Sequence, residues 1–471
     1  MKNFIKHHGL AISILIIFFG LLSYFAYFNE CAEGGGDNAF HYFFSRYAFQ
    51  YPKFFLEHWA KPLFVLLSSP FSAVGGVYGT NLFNILIGIA SASVVYKFAN
   101  DMGLKFSWLS IIILLSFPSY FFMLQSAMTE PLMSFIIILS FYLLYQEKYL
   151  PAAIIMSFSL FSRSEGMFLT AYVLIYLALI KQWKYIPFLT VGFFLYAFVG
   201  FFSGRDFLWY FTENPYSAIS PYGHGEWIHF FSKYDYMWGL PQTIALTIGL
   251  LTITLLSFLK IKKLKFQALE PEHKFFILVV TPAAIFFLFH VIVWKYGWCA
   301  SYGLERVMNC IAPLIALIIA YGINYVMLIR LPKYISLIFI SVFLYFSFLA
   351  TVKFVTYPTR AYGIDKLIYN ASKWYKQSCK PNGIIYYSHA SLMLNLDRNI
   401  FDTIHNLGLS KLDLDKPLVS GNPIYIFWDS QFSESEQQMK LETLQNHRSL
   451  RLIYHPKEDY GSNLYVFEKI Q

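Results

Sequence analysis

The sequence predicts a polytopic α-helical membrane protein that ends in a soluble α/β domain. Of its 471 residues, 57% are apolar and only 13% carry a charge, and the mean hydropathy is +0.49. An ordinary soluble protein has about 25% charged residues. A composition this apolar and this poor in charge is typical of a chain that crosses a membrane many times.

Eleven apolar segments approach the roughly 20 residues that a helix needs to cross the hydrocarbon core. They lie at about 10–28, 78–99, 107–125, 131–146, 149–163, 167–181, 184–203, 240–259, 275–294, 307–329 and 334–354. A further run at Pro62–Val74, interrupted by Pro70, is too brief to span, and we expect it to be re-entrant or interfacial. The first run lacks a small-residue cleavage site, so we interpret it as a retained helix.

Lysine and arginine in the short connections predict the orientation. With the N-terminus inside, the inner side receives most of the basic residues: Lys2, Lys6, Lys97, Lys105, Lys148, Lys181, Lys184, the cluster Lys260–Lys265, Lys274, Arg330 and Lys333. The outer side takes the loops 29–77, 204–239 and 295–306 and two tight corners, QSAMTEP and SRSEG. We expect a bacterial inner membrane, with the active site and the tail beyond Thr351 facing the periplasm or exterior.

The polar tail predicts a soluble α/β domain at 356–471, after a membrane domain at 1–355. About 115 residues suffice for a small independent core. The pattern predicts these elements: a helix at Tyr362–Gln377, strands at Ile384–Tyr387 and Pro423–Trp428, an amphipathic helix near Glu434–Asn446, and strands in LRLIYH and NLYVFEKI.

Composition and motifs exclude several classes of function. The net charge of +9 comes largely from basic residues between hydrophobic segments, so it sets orientation and does not indicate a nucleic-acid partner. No Walker loop, HExxH motif or Gly-x-Ser-x-Gly elbow is present. The four cysteines have no metal-type spacing, although Cys31 and Cys299 would both lie outside, where a disulfide between them is conceivable.

Asp37 is the main catalytic candidate. It follows three glycines in GGGDNAFHY (Gly34–Tyr42), and glycine lets the backbone bend sharply and approach a ligand. Its carboxylate could accept a proton from a hydroxyl nucleophile, with His41 one helical turn further on. The structural alternative is that Asp37 caps a helix that starts after the glycines.

Further charged residues fall on the predicted outer side, and each has a structural alternative. Glu130 in the first corner fits a helix N-terminus, and Arg163 and Glu165 in the second corner could simply pair with each other. These three residues and His41 are substrate-binding candidates, together with Glu305, Arg306, Lys61 and His58 in the other loops. An arginine facing the bundle could grip a lipid phosphate with two parallel hydrogen bonds, whereas its alternative role is snorkelling to the interface.

These motifs resemble the GT-C superfamily of membrane glycosyltransferases, which includes dolichyl- and polyprenyl-phosphate-sugar-dependent mannosyltransferases. The resemblance rests on GGGDNAFHY in a long loop after the first helix, KPLF later in that loop, TEP at a corner, the ER pair in GLERVMNCIAPLIAL, and a trailing outer domain. Many members carry paired acids in the first loop, whereas this chain has Asp37-Asn38, which weakens the case for a metal held by a carboxylate pair.

The resemblance implies an inverting hexosyltransferase that moves a mannose-like sugar from a lipid-phosphate donor to an acceptor hydroxyl. Asp37 would be the general base, and Arg306 or Lys61 would stabilise the leaving phosphate. The acceptor would be a glycan, a lipid or a protein, and a divalent metal is left open. The alternative functions are a flippase or transporter, or a polymerase, of lipid-linked saccharides. A transporter should place charges near the bilayer midplane in two related halves, and no halves match here.

Overall fold

The computed structural model describes residues 2–31, 35–260, 269–328, 332–416 and 422–470. Three features singled out in the sequence lie partly outside these ranges: Gly34 of the glycine run, positions 261–265 of the basic cluster, and Arg330. The side chains of Lys2, Lys6 and Lys333 are also outside the description.

Helices dominate the chain up to residue 353. In order they are α1 (Lys2–Phe28), α2 (Gly35–Arg46), α3 (Pro62–Asp101), α4 (Leu109–Leu115), α5 (Pro118–Met123), α6 (Glu130–Tyr145), α7 (Tyr149–Ser157), α8 (Ser159–Ser162), α9 (Gly166–Leu179), α10 (Val191–Phe202), α11 (Trp209–Thr212), α12 (His229–Ser232), α13 (Tyr234–Met237), α14 (Leu240–Leu259), α15 (Pro271–Phe275), α16 (Thr281–Tyr296), α17 (Ala312–Gly322) and α18 (Lys333–Lys353). Shorter 3₁₀ or π turns occupy Pro52–Leu56, Trp183–Thr190, Phe276–Val280, Glu305–Ile311 and Ile323–Leu328.

Within the described ranges, seven helical stretches are long and apolar enough to cross a membrane: His8–Phe28, Pro62–Asp101, Trp183–Phe202, Leu240–Leu259, Pro271–Tyr296, Glu305–Tyr325 and Tyr334–Lys353. Three shorter apolar helices are Glu130–Tyr145, Tyr149–Ser162 and Gly166–Leu179. These seven and three correspond to ten of the eleven predicted segments. The prediction of a polytopic helical membrane protein is therefore confirmed.

The segment predicted at 107–125 is not one continuous helix. It is divided into α4 and α5, because Phe117 adopts an extended conformation (φ −66°, ψ 125°) immediately before Pro118. Proline disfavours helical backbone in the residue that precedes it. The expectation of a single straight span was wrong here, and the break belongs to the buried centre of the bundle.

A sharp bend at Gly76 divides α3 into two arms. Gly76 has φ 59° and ψ −144°, a conformation that suits glycine. The arms pack closely, since a Cβ on Gly79 would lie only 2.1 Å from the carbonyl oxygen of Phe71. The first arm, which starts at Pro62, covers the run predicted to be re-entrant or interfacial, and its Ser68 hydroxyl donates to Ser45 Oγ of α2 at 2.7 Å.

The C-terminal region forms a five-stranded mixed sheet with three helices. Its elements are α19 (Gly363–Ser378), β1 (Ile384–Tyr387), α20 (Ala390–Leu396), β2 (Asn406–Gly408), β3 (Ile424–Asp429), α21 (Leu441–Gln445), β4 (Leu450–Tyr454) and β5 (Leu464–Lys469), with a 3₁₀ turn at Leu409–Lys411. The strand order is β2-β1-β3-β5-β4. β1 is parallel to β2 and β3, whereas β5 is antiparallel to β3 and β4.

The predicted first helix and four strands of this domain are confirmed, but the amphipathic helix near Glu434–Asn446 was wrong. Only α21 is helical there. The Asp429 carboxylate accepts hydrogen bonds from the amides of Gln431 and Phe432, which turns the chain at the end of β3. Gln438 then takes a positive φ of 55°, which interrupts any helix.

The soluble domain and the membrane helices share one hydrophobic cluster. Tyr42 and Phe43 of α2 are buried in it together with Ile368 of α19 and Met393 of α20. The disulfide considered between Cys31 and Cys299 is not formed, and the Cys31 thiol donates to the Arg360 carbonyl oxygen at 3.6 Å.

Candidate active site

Asp37 lies at the open end of the cluster of charged residues. Helix α2 begins at Gly35, so Asp37 is in its first turn rather than at the cap position, where the helix N-terminus favours a carboxylate. The Asp37 side chain is 42% exposed, and its carboxylate contacts the Arg306 guanidinium. The acid is therefore both accessible to a ligand and paired with a cation.

Arg306 lies between two carboxylates. It belongs to the 3₁₀ turn Glu305–Ile311 that leads into α17, and its side chain is 12% exposed. On the side away from Asp37, Arg306 Nε is 3.7 Å from Glu130 Oε1. Two loops from distant parts of the chain thus meet through this side chain.

Glu130 is the buried centre of the cluster. It is the first residue of α6, with Pro131 in the first turn, and its side chain is 1% exposed. Its Oε1 atom lies 2.8 Å from Arg163 Nη1, yet within the described part of the chain neither carboxylate oxygen has an aligned hydrogen bond. A buried charge is tolerated when it is paired, and Glu130 meets this condition through two arginines.

Arg163 and Glu165 continue the alternation of charge. Arg163 Nη2 donates to Glu165 Oε1 at 2.9 Å, and Nη1 donates to Thr129 Oγ1 at 3.1 Å. Burial by itself would raise the pKa of Glu165, but the charges of Arg163 and His290 and the hydrogen bonds to the carboxylate together lower the pKa to about 2. The pairing considered for these two residues is therefore present, and it is extended by Glu130.

Lys61 joins the cluster through Ser164 and an aromatic ring. Its Nζ atom donates to Ser164 Oγ at 3.1 Å and lies 4.5 Å from the centre of the Tyr216 ring. Burial lowers the pKa of Lys61 to about 7. Lys61 also has a φ of 69°, and strained backbone in a non-glycine residue, which costs roughly 1–3 kcal/mol, clusters at functional sites.

The two histidines are neutral and held by backbone carbonyls. His41 Nδ1 donates to the Ala127 carbonyl at 3.1 Å, and His58 Nε2 donates to the Tyr210 carbonyl at 2.9 Å. Burial lowers the pKa of His41 to about 3 and that of His58 to about 4. His41 lies on the Asp37 helix within electrostatic range of Glu130, whereas His58 stacks on Tyr210.

Glu305 is not brought into the cluster. Its carboxylate lies 3.4 Å from Lys233 Nζ, so it pairs with the loop before α13 although it directly precedes Arg306. Because Glu305 and Arg306 are neighbours in the sequence, the sequence did not show that their side chains have partners in different places.

Three residues of the site were missed in the sequence. His290 of α16 is buried, with Nε2 3.9 Å from Glu165 Oε1. A histidine in an apolar span is itself a signal of function, so this one could have been found. The sequence pattern did not indicate that the Tyr216 ring contacts Lys61 or that the Thr129 hydroxyl binds Arg163. Both contacts depend on how the loops fold.

The arrangement presents an accessible carboxylate, Asp37, in contact with the Arg306 guanidinium, and Lys61 joins the same cluster through Ser164. Acid and base alternate from Asp37 through Arg306, Glu130 and Arg163 to Glu165. Such a site can bind an anionic group on Arg306 and Lys61 and place a proton acceptor beside it.

The side chains that the structure describes do not form a metal site. Among the described residues, no group of three or more His, Cys, Asp or Glu side chains could hold a metal ion. Asn38, where a second acid would stand, uses its Oδ1 atom to accept the Ala127 amide at 2.7 Å. The Glu130 carboxylate, on the other side of Arg306 from Asp37, already pairs with Arg163 and Arg306.

Solved structures show the same fold. The chain matches ArnT from Cupriavidus metallidurans bound to undecaprenyl phosphate with a TM-score of 0.64 and 11% identity, over 98% of each chain. The apo form of that ArnT gives a TM-score of 0.60 at 11% identity, again over 98% of each chain. An Archaeoglobus fulgidus oligosaccharyltransferase tethered to an acceptor peptide gives 0.51 at 12% identity, over 91% of this chain and 70% of that one.

No family model matches the chain, and no curated protein matches it in sequence. The likeness is therefore one of fold, and it spans both the helical bundle and the C-terminal sheet. The expected architecture, a polytopic helical bundle followed by a C-terminal α/β domain, is confirmed, and the chain has the fold of ArnT.

Proposed function

We propose that this protein is a membrane glycosyltransferase that moves a sugar from a polyprenyl-phosphate donor to an acceptor hydroxyl on the extracytoplasmic face. Two structures of the same fold support the substrate class, since one is bound to undecaprenyl phosphate and the other is an oligosaccharyltransferase with an acceptor peptide. The observation that carries the proposal is the contact between Asp37 and Arg306, which places a base directly beside a cation that can bind an anion.

Asp37 acts as the general base. It is the most exposed acid of the cluster, so an acceptor hydroxyl can reach it. A positioned carboxylate that removes the hydroxyl proton contributes typically about 10²–10⁴-fold to the rate. Attack on the face of the sugar opposite the phosphate inverts the anomeric centre, by the geometry that governs inverting glycosidases.

Arg306 and Lys61 bind the donor phosphate and stabilise it as it leaves. A polyprenyl phosphate carries negative charge into the site, and a charge-assisted contact to guanidinium is the strong form of such binding. When the phosphate takes Arg306, it replaces Asp37 as the partner of that cation. Donor binding thus releases the base for the acceptor.

Glu130 and Arg163 hold the binding residues in place rather than touching the substrate. Glu130 is buried from solvent. We therefore assign it a positioning role in place of the substrate contact that the sequence suggested. Its charge holds Arg306 in place beside Asp37 and pairs with Arg163 on the other side. Glu165 completes this support through Arg163.

The test is a transfer assay with purified protein. Polyprenyl-phosphate hexoses labelled in the sugar, mannose among them, are incubated with separate lipid, glycan and protein fractions of a cell envelope. Label that moves covalently into one fraction, with the opposite anomeric configuration, supports the proposal. Label that crosses a reconstituted bilayer while still on its polyprenyl phosphate indicates a flippase, and label that accumulates as a lengthening lipid-linked saccharide indicates a polymerase.

A further inference from the structure

Helix α2, which carries Asp37, is fixed to the membrane helices along one side. Asn38 and His41 both bond to the backbone of Ala127, at 2.7 and 3.1 Å. At the other end of the helix, Arg46 donates to two carbonyl oxygens of α3. These bonds set one face of α2 against the bundle.

The soluble domain contacts a different part of α2 through Asp397. This residue ends α20 in a left-handed conformation with φ 54°, which turns its side chain out of the helix. Helices α2 and α20 pack against each other, and the Asp397 carboxylate lies within electrostatic range of the Tyr42 hydroxyl and the Arg46 guanidinium. Tyr42 is only 2% exposed, so this contact lies inside the interface between the two domains.

Phe401 adds an apolar wedge to the same interface. Its ring centre is 4.4 Å from Phe54 and 5.4 Å from Phe44, and Tyr51 and Tyr47 lie at 5.9 and 6.0 Å. These four rings belong to the end of α2 and the turn that follows it. Aromatic pairs at such separations stabilise beyond their buried area.

The start of the soluble domain also holds the chain just before α2. The Thr359 amide donates to Asn29 Oδ1 at 2.7 Å, and Arg360 pairs with Glu30 at 2.8 Å. The soluble domain therefore contacts the first loop on both sides of Asp37, at Asn29 and Glu30 before it and at Phe44 and Phe54 after it. A helix of 12 residues is marginal by itself, so tertiary contacts decide where α2 lies.

We propose that Asp397 and Phe401 are positioning residues that set helix α2, and with it Asp37, against Arg306. The soluble domain is then part of the catalytic assembly. This inference rests on the proposed function, because it assigns the positioning to the base of that reaction. Glycosyl transfer is sensitive to such placement, since a shift of about 1 Å can cost about 10²-fold in rate.

The experiment uses the full-length protein and three variants. Phe401→Ala removes the wedge, and Asp397→Asn removes the charge while keeping the shape. Phe432→Ala is the control, because its ring packs on His389 within the soluble domain. Transfer kinetics and amide hydrogen exchange of α2 are measured for each, and Phe401→Leu tests rescue by an apolar side chain.

We expect Phe401→Ala and Asp397→Asn to lower kcat about 10- to 100-fold, with little change in the KM for the donor. Exchange of the α2 amides should rise in both variants, and Phe401→Leu should recover most of the loss. Phe432→Ala should leave kcat and α2 exchange as in the wild type.

Equal loss of kcat in Phe432→Ala, or unchanged α2 exchange in Phe401→Ala and Asp397→Asn, would overturn the inference. If the wild type transfers no sugar, the proposed function fails but the exchange measurement still decides whether the soluble domain holds α2.

Discussion

The Arg306 guanidinium contacts the Asp37 carboxylate although the two residues are 269 positions apart in the chain. Arg306 also approaches Glu130, which pairs with Arg163, which in turn pairs with Glu165. Loops that follow different helices thus converge on one cluster of charged side chains, as the proposed site requires. This convergence makes the following outcomes measurable.

Replacing Arg306 by lysine should lower kcat/KM by about 10²–10³-fold. Lysine keeps the charge but lacks the planar fork that lets one side chain face Glu130 and a phosphate together. Arg205→Lys is the matched control, because Arg205 pairs with Glu213 outside the cluster. Steady-state transfer kinetics decide the point, and equal losses in both variants would argue against a special role for Arg306.

Donor affinity should fall as the pH rises through about 7. Burial lowers the pKa of Lys61 to about 7, so the ammonium ion that binds phosphate is present below that pH and is lost above it. The drop approaches about tenfold per pH unit above the pKa. His41 and His58 stay neutral above pH 5, since burial lowers their pKa values to about 3 and 4.

The measurement is the Kd of a polyprenyl-phosphate hexose, whose phosphodiester keeps one charge from pH 6 to 8.5. Lys61→Arg should bind with little pH dependence, because arginine stays charged in this range. The same pH slope in wild type and Lys61→Arg would show that another group titrates.

Glu130→Gln should lower the free energy of unfolding by about 3–5 kcal/mol, because it leaves two buried arginines without their shared partner. In contrast, Glu213→Gln at an exposed pair should cost about 0–1 kcal/mol. Unfolding of the detergent-solubilised protein, followed by tryptophan fluorescence, compares the two variants. Similar losses in both would contradict the structural role of Glu130.

The predicted orientation can be checked by labelling single cysteines in whole cells. With the four native cysteines replaced by serine, Tyr460→Cys in the soluble domain should react with a membrane-impermeant maleimide, because Tyr460 is 85% exposed. Glu147→Cys, between α6 and α7, should react only after lysis. The reverse pattern would place the soluble domain in the cytosol and remove the site from the outer face.

The sequence predicted the architecture well because hydropathy and length dominate it. Ten spans and the four main strands follow from apolar runs that a bilayer or a sheet requires. The failures have local causes: Pro118 breaks a helix that hydropathy alone joins, and Asp429 with Gln438 turns a segment whose amphipathic pattern suggested a helix.

The sequence predicted which charged residues come together better than it predicted their contacts. Charges at loop ends pointed to Asp37, Arg306 and Lys61, since acids and bases are rare near hydrocarbon and serve a purpose there. The sequence could not show that Glu130 is sealed beneath Arg306 or that Glu305 turns away to Lys233. Both contacts depend on the direction in which side chains leave the turn at Glu305–Ile311. The spacing of residues in the sequence does not determine that direction.

The most direct test of the proposed chemistry compares sugar transfer by the wild type and Asp37→Asn with the same labelled polyprenyl-phosphate hexose. Asparagine keeps the shape of the side chain but cannot take the hydroxyl proton. We expect transfer to fall by about 10²–10⁴-fold while the unfolding temperature stays near wild type. The donor should bind at least as tightly as to the wild type, because its phosphate no longer has to displace the Asp37 carboxylate from Arg306. Transfer at the wild-type rate by Asp37→Asn would contradict the assignment of Asp37 as the base.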